Sequence, residues 1–401
     1  MSRFRIGFLP LVDAALPIIA HEYGLADKQG VSIELHRDTS WATVRDRLIY
    51  GQTDAAHLPA PLAIATSLGL DRPAVPLAAP FMLGLNGNAI AVSTRIAAMM
   101  HLDSIGDVAA TGRVLAGVAQ AEAEKGRKLR LAVVHRYSSH NYMLRYWLAA
   151  SGCAPDRDVE IVVVPPPFIA DALAMGEIDG SCVGEPWNSL AVMRGDAVIA
   201  AATSQIWNRG VEKLLAFRAP AIDERRSAIE ALLRALHEAG KIASDPACAA
   251  EVAEMLGRPE YIGQPAELIA RALGNLLILR GAEAPTPIED FLMLHREAAN
   301  FPWKSQAMWL YSQMIRWNHA PAGQRGFDEA AAVFRPDIYR SALAGIGAIL
   351  PGASAKVEGA ISSPLGAGSH SGRLIMGPDR FFDGQLFDPD RAQDYVASQA
   401  E

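Results

Sequence analysis

Cysteine is scarce: Cys153, Cys182 and Cys248 are the only three in 401 residues. An odd, widely spaced set provides neither a disulfide framework nor a metal signature, and it is compatible with a reducing compartment. Positive charge is also in deficit, with 37 Lys+Arg against 44 Asp+Glu and a net charge of -7. That balance argues against a generally basic nucleic-acid binder, so no direct contact with nucleic acid is expected. No apolar run reaches the roughly 18 residues a membrane span needs, so no membrane association is expected. Arg3 and Arg5 precede an apolar stretch, Ile6 to Ala20, which is interrupted by Pro10, Asp13 and Pro17. No small-residue cleavage site follows, so the expectation is a cytoplasmic protein rather than an exported one.

Enzyme signatures are missing as well. No Walker loop, dinucleotide glycine fingerprint or nucleophile elbow occurs, and His21-Glu22 and His237-Glu238 lack the second histidine of a zinc-protease helix. The ten histidines are scattered, and none compels a metal. Gly366 to Gly372 is phosphate-loop-like only in composition. The expectation is a binding protein without cofactor or catalytic set.

What is present is a repeat. Arg5-Ile6-Gly7-Phe8-Leu9 reappears as Arg130-Leu131-Ala132-Val133-Val134, and Gly51, Asp54 and Pro61 reappear as Gly176, Asp179 and Pro186, all at an offset of 125. Helix-like stretches follow each first strand, Leu16 to Tyr23 and Asn141 to Ala150, with Gly24 and Gly152 just beyond. Second apolar strands follow at Val31 to Leu35 and Val159 to Val164. Four elements in one order predict two α/β units with parallel strands. A crevice between two such lobes is the natural small-molecule site. The expected division is 1–112 with 212–401 as lobe I and 113–211 as lobe II. Amphipathic helices are expected from Ala228 to Leu279 as an outer layer of lobe I, more helix from Ile288 to Arg316, and loop from Gly352 to Gly372.

Several residues could meet a ligand in that crevice. Ser138-Ser139-His140 opens a helix whose end attracts anions, and the same serines could simply cap it. Ser40-Trp41 opens another; Trp41 offers an apolar plate and one N–H donor with no acceptor, or it packs in the core. Backbone N–H groups near Gly184 could donate, while Trp187 packs. Lys213 falls where the chain should cross back between lobes, although a lone lysine is usually a solvated surface residue.

The stretches "GFLPLVDAALPIIAHEYGLADKQGVSIELHRDTSWATVRDRLIYGQTDAAHLPAPLAIATSLG", "LNGNAIAVS", "SSHNYMLRYWLAASGCAPDRDVEIVVVPPP", "GEIDGSCVGEPWNSLAV", "VEKLLAF" and "GPDRFFDGQLFDP" together resemble nitrate- and bicarbonate-binding proteins of the NrtA/CmpA kind. The resemblance implies a type II periplasmic-binding-protein fold, two α/β lobes closing on a small oxyanion, with a helical C-terminal cover. It matches the ligand contacts to Trp41, His140, Gly184 and Lys213, with Asn88 where a glutamine is typical. Asn88 keeps the amide but is one methylene shorter, and "NRGVEK" replaces the usual "HPEK" ahead of Lys213.

Without an export signal, the chain looks similar to NasS-type cytoplasmic sensors. Such a resemblance implies nitrate or nitrite as ligand and a NasT-type ANTAR antiterminator as partner, sequestered until the anion binds. Two other readings belong beside it: the substrate-binding component of an ABC transporter for nitrate, bicarbonate or a related anion, and an enzyme of the thiamine-pyrimidine-precursor type.

Overall fold

Arg5 and Arg130 close their repeats in the same way. A computed structural model describes residues 2–102, 106–281 and 283–399. In it the Arg5 backbone N–H donates to Asp54 Oδ2 over 2.9 Å and its guanidinium donates to the Gly51 carbonyl over 3.0 Å. The Arg130 N–H donates to Asp179 Oδ2 over 2.9 Å and its guanidinium to the Gly176 carbonyl over 2.6 Å. Gly51 and Gly176 have φ of 73° and 66°, a left-handed turn that favours glycine. The strand register repeats too: Ile6 stands opposite Ala55 as Leu131 stands opposite Gly180, both in parallel pairs. The weak sequence repeat is thus a three-dimensional one.

Two five-stranded sheets result. The first runs Val31–Arg37, Ser2–Phe8, Ala55–Pro59, Lys213–Arg218, Leu77–Met82, and the second Ala197–Ala202, Asn88–Ser93, Gly180–Gly184, Leu129–Val133, Val159–Val163. The helices after each first strand span Ala15–Glu22 and Ser139–Ala150. The two-lobed α/β architecture expected from the repeat is the one formed.

The chain passes between sheets twice, and the two passages run side by side. Leu83 N–H donates to the Lys213 carbonyl and Asn86 N–H to the Gly210 carbonyl, each over 2.9 Å. Asn86 Oδ1 accepts from Gly210 N–H and its amide donates to the Asn208 carbonyl over 2.8 Å. The first passage therefore precedes Asn88, not residue 112 as the expected division had it. The reason is pairing: Asn88–Val92 lies antiparallel to Gly180–Gly184 in the second sheet.

Helices Arg226–Ala243, Ala249–Leu256 and Ala266–Leu273 follow the strongly amphipathic stretch. The first of them packs on Ala15–Glu22 and on Pro336–Leu343. The further helix expected between Ile288 and Arg316 is an α-helix only over Lys304–Arg316. Asp290, Glu297 and Ala298 adopt positive φ, and Pro302 disfavours helix at the residue before it. The C-terminal cover also departs from its assignment to lobe I alone. Helix Lys304–Arg316 contacts both Ala60–Leu68 of the first lobe and Ser139–Ala150 of the second. Trp207, Trp309 and Phe381 stack with centroids 4.6 to 5.3 Å apart, and Tyr146 Oη donates to Asp383 Oδ1 over 2.8 Å. Fully burying each such ring stabilises by about 1.5–3 kcal/mol. The cover straps both lobes. Gly352 to Gly372 is mostly loop with short strands at Leu365–Ala367 and Ser369–Ser371. Among the described residues no helix is long and apolar enough to cross a membrane.

Candidate ligand site

The site residues sit at element ends because each sheet directs its strand ends and helix starts toward the crevice. Ser40 caps helix Trp41–Ile49 by accepting from Thr43 N–H over 3.2 Å, which puts Trp41 at the first helical position. Ser138 caps Ser139–Ala150 likewise, accepting from Asn141 N–H over 3.2 Å, and His140 follows in the first turn. Asn88 opens its strand, Gly184 ends the strand paired with it, and Lys213 opens the returning strand of the first sheet. Trp41, Asn88, Ser138, His140, Gly184 and Lys213 are all buried. The tryptophan and the lysine, each readable from sequence as core or surface residues, are both interior.

Contacts join them into one cluster. Lys213 Nζ lies 5.7 Å from the Trp41 ring centroid, within cation–π range. The same ammonium is 2.7 Å from Asp13 Oδ2 and donates to Glu212 Oε2. Asn88 Nδ2 donates to Glu212 Oε1 over 2.6 Å. His57 Nε2 lies 3.0 Å from Asp13 Oδ1, and its ring meets Trp41 edge-on at 5.0 Å. A Cβ at Gly184 would stand 3.1 Å from both Asn88 Oδ1 and Leu11, so no larger residue fits without displacement.

The structure brings the candidate residues read from the sequence together, and adds acids that were not among them. Asp13 was visible only as an interruption of an apolar stretch, His57 as a histidine inside an apolar strand, and Glu212 as the neighbour of Lys213. A charged residue inside a run that must be buried was the available signal, because such a residue needs a partner.

Electrostatics follow from this packing. Burial alone would raise the Asp13 carboxyl, but Lys213 and then His57 outweigh it and hold it well below the usual carboxylate range. Burial would lower the Lys213 ammonium; Asp13 and Glu212 reverse that and raise it. Glu212 is raised by burial, with Asp13 adding to it and Lys213 opposing. His140 is pushed far down by burial and then by the Lys213 charge, so its imidazole is neutral near pH 7.

Several buried polar atoms in this cluster have no hydrogen-bond partner: Trp41 Nε1, Asn88 Oδ1 and both His140 ring nitrogens. An unpaired buried donor costs about 1–3 kcal/mol, and most buried polar groups are satisfied. These atoms gather beside one buried ammonium, in the crevice between the lobes. Besides the Asn88–Glu212 bond, the lobes touch across it through neutral groups: Val12 N–H donates to the Glu185 carbonyl over 2.9 Å, and Trp187 Nε1 donates to the Pro10 carbonyl over 3.0 Å.

Residues 1–257 match the NMT1-like family model. The chain is 30% identical to the nitrate/nitrite binding protein NrtA of Synechococcus elongatus over 98% of its own length and 84% of that protein. It is 34% identical to the nitrate import ATP-binding protein NrtC of the same organism over 86% of its length, but spans only 50% of that longer protein. The crystal structure of the periplasmic nitrate-binding protein NrtA from Synechocystis superposes with a TM-score of 0.87, at 26% identity, covering 100% of this chain and 98% of that one. The fold is therefore that of the periplasmic binding proteins.

Proposed function

The chain belongs to the NMT1-like family, among its NrtA-like members, and from that premise we propose that it binds nitrate or nitrite between its two lobes and acts as a sensor rather than an enzyme. The observation that carries the binding step is the cluster of unpartnered polar atoms around Lys213. A planar monoanion would accept from the Trp41 indole, from the His140 ring N–H and from the ammonium. Inside a closed, water-poor crevice such charge-assisted bonds are stronger than in water. Micromolar affinity requires about 8 kcal/mol in total, within reach of several such bonds after ordering costs.

In this reading the protein works in the cytoplasm, and its open, ligand-free form sequesters a NasT-type ANTAR antiterminator. Anion binding favours the closed form and releases the partner. By linkage, the partner weakens anion binding by the factor with which the anion weakens the partner. The experiment is a co-purification of the two proteins with and without saturating nitrate; a complex that forms and ignores nitrate sinks the switch. A second reading, the receptor of an ABC importer, is favoured by the relatives, which include nitrate import proteins. Its test is stimulation of a cognate permease and ATPase.

A further inference from the structure

The ligand cluster holds more acid than an anion site needs. Lys213 is flanked by Asp13 and Glu212, so with all three ionised the buried set already carries one net negative charge. Adding a monoanion would leave two negative charges in a water-poor space. The amide of Asn88 sharpens the problem. Its Nδ2 is committed to Glu212 Oε1 at 2.6 Å, and this fixes which way the amide faces. Its Oδ1 is left without a partner and lies against Gly184, where Asp13 Oδ2 would also be 3.7 Å from an added Cβ. One unpaired acceptor oxygen, Asn88 Oδ1, thus stands beside Gly184, with Asp13 Oδ2, already paired with Lys213, close by. Nitrate has no hydrogen to offer it.

We propose that Glu212 is the specificity-determining positioning residue of this site: ionised, it turns the Asn88 carbonyl oxygen toward the ligand and favours an oxyanion that carries its own O–H, and protonated, it lets the amide turn over so that its NH2 faces an acceptor-only anion such as nitrate. Uptake of nitrate then brings a proton with it, which removes the second negative charge. The inference rests on the site proposed above. Beside that geometry, burial drives the Glu212 carboxyl up, toward its protonated form. The groups facing that carboxyl are Lys213 on the adjoining strand, Asn88 and the buried Cys182 thiol from the second sheet, Asp13 from the turn after the first strand and Ser139 from the capped helix. Among the described residues, Glu212 alone accepts from the Asn88 amide. Glu185, also buried and pushed up to about 7 by burial, lies in the same crevice and is the competing proton acceptor.

The test is calorimetry of the whole chain with nitrate between pH 6 and 8.5, in two buffers of different ionisation heat, for wild type, Glu212→Gln and Glu185→Gln. Expected is uptake approaching one proton per nitrate at the upper end, with affinity falling about tenfold per pH unit there. Glu212→Gln, whose neutral amide can pair with either end of Asn88, should lose both effects and still bind. Glu185→Gln should keep them. Nitrate binding with no proton uptake overturns the inference and leaves nitrate binding itself standing. Loss of the linkage in Glu185→Gln alone places the proton elsewhere and also overturns it. Hydrogencarbonate binding to wild type at pH 8 without proton uptake supports it. No heat from either anion at any pH removes the site reading, and this inference with it.

Discussion

Lys213 and Asp13 form a fully buried ion pair at 2.7 Å, although the two residues come from opposite ends of the first sheet's sequence. Asp13 follows the first strand, and Lys213 arrives only after the chain has built the second lobe and returned. Completion of the site therefore requires both passages between lobes to be in place.

Breaking that pair from one side leaves a buried carboxylate without its cation. Lys213→Met should destabilise by about 3–5 kcal/mol and abolish anion binding. Adding Asp13→Asn should recover part of the stability and none of the binding. Thermal melts and calorimetry on the three proteins read both quantities; a double variant no more stable than Lys213→Met would show that the pair is not the source of the loss.

Trp41→Phe keeps an aromatic plate against His57 and removes the unpartnered Nε1 donor. A hydrogen bond to a charged acceptor contributes about 1.5–3 kcal/mol, so nitrate affinity should fall roughly 10- to 100-fold. Stability should hold or rise, because a buried unpaired donor disappears. An unchanged dissociation constant would take Trp41 out of the site.

Gly184→Ala places a Cβ 3.1 Å from Asn88 Oδ1 and from Leu11. One of them must give way by a few tenths of an ångström. The expected result is a clear loss of affinity with a smaller effect on unfolding, about 1 kcal/mol, as for modest overpacking. Equal losses in both would mean that Gly184 serves packing alone.

The twin clamps predict an acid limb. Burial would raise Asp54, but the Arg5 hydrogen bonds hold it below its ordinary value, and the Arg130 N–H and Arg95 do the same for Asp179. Folded values below unfolded ones mean that the unfolded chain binds more protons, so this stability is present above about pH 4 and is lost as pH falls from there. Asp54→Asn and Asp179→Asn should each cost about 1–3 kcal/mol at neutral pH and flatten the decline. Denaturant unfolding between pH 3 and 7 measures it; equal slopes in wild type and variants would refute the assignment.

How much of this was legible in the sequence differs by residue. The repeat was readable because Gly51, Asp54 and Arg5 have fixed local jobs that recur at Gly176, Asp179 and Arg130. The lobe boundary was not, because Asn88–Ser93 reads as any apolar strand, and only its pairing with Gly180–Gly184 shows which sheet owns it. Trp41 and His140 could be picked out by their place just past a capping serine. Asp13 gave only the signal of a charge inside an apolar stretch, because its lysine arrives from far along the chain, and Glu212 only that of a neighbour to Lys213. The strap formed by Trp309, Trp207 and Phe381 was hidden for the same reason.

The distribution of ion pairs has a mechanical consequence. Lys213, Asp13, Glu212 and His57 all lie on the first-sheet side, and among the described residues no ion pair joins the core of one lobe to the core of the other. Parting the lobes would break neutral contacts such as Val12 to Glu185 and Trp187 to Pro10 and would leave the Lys213, Asp13, Glu212 and His57 pairs within the first lobe. The empty molecule should therefore open and close with little regard to ionic strength, and added salt should register only through competition for the anion itself.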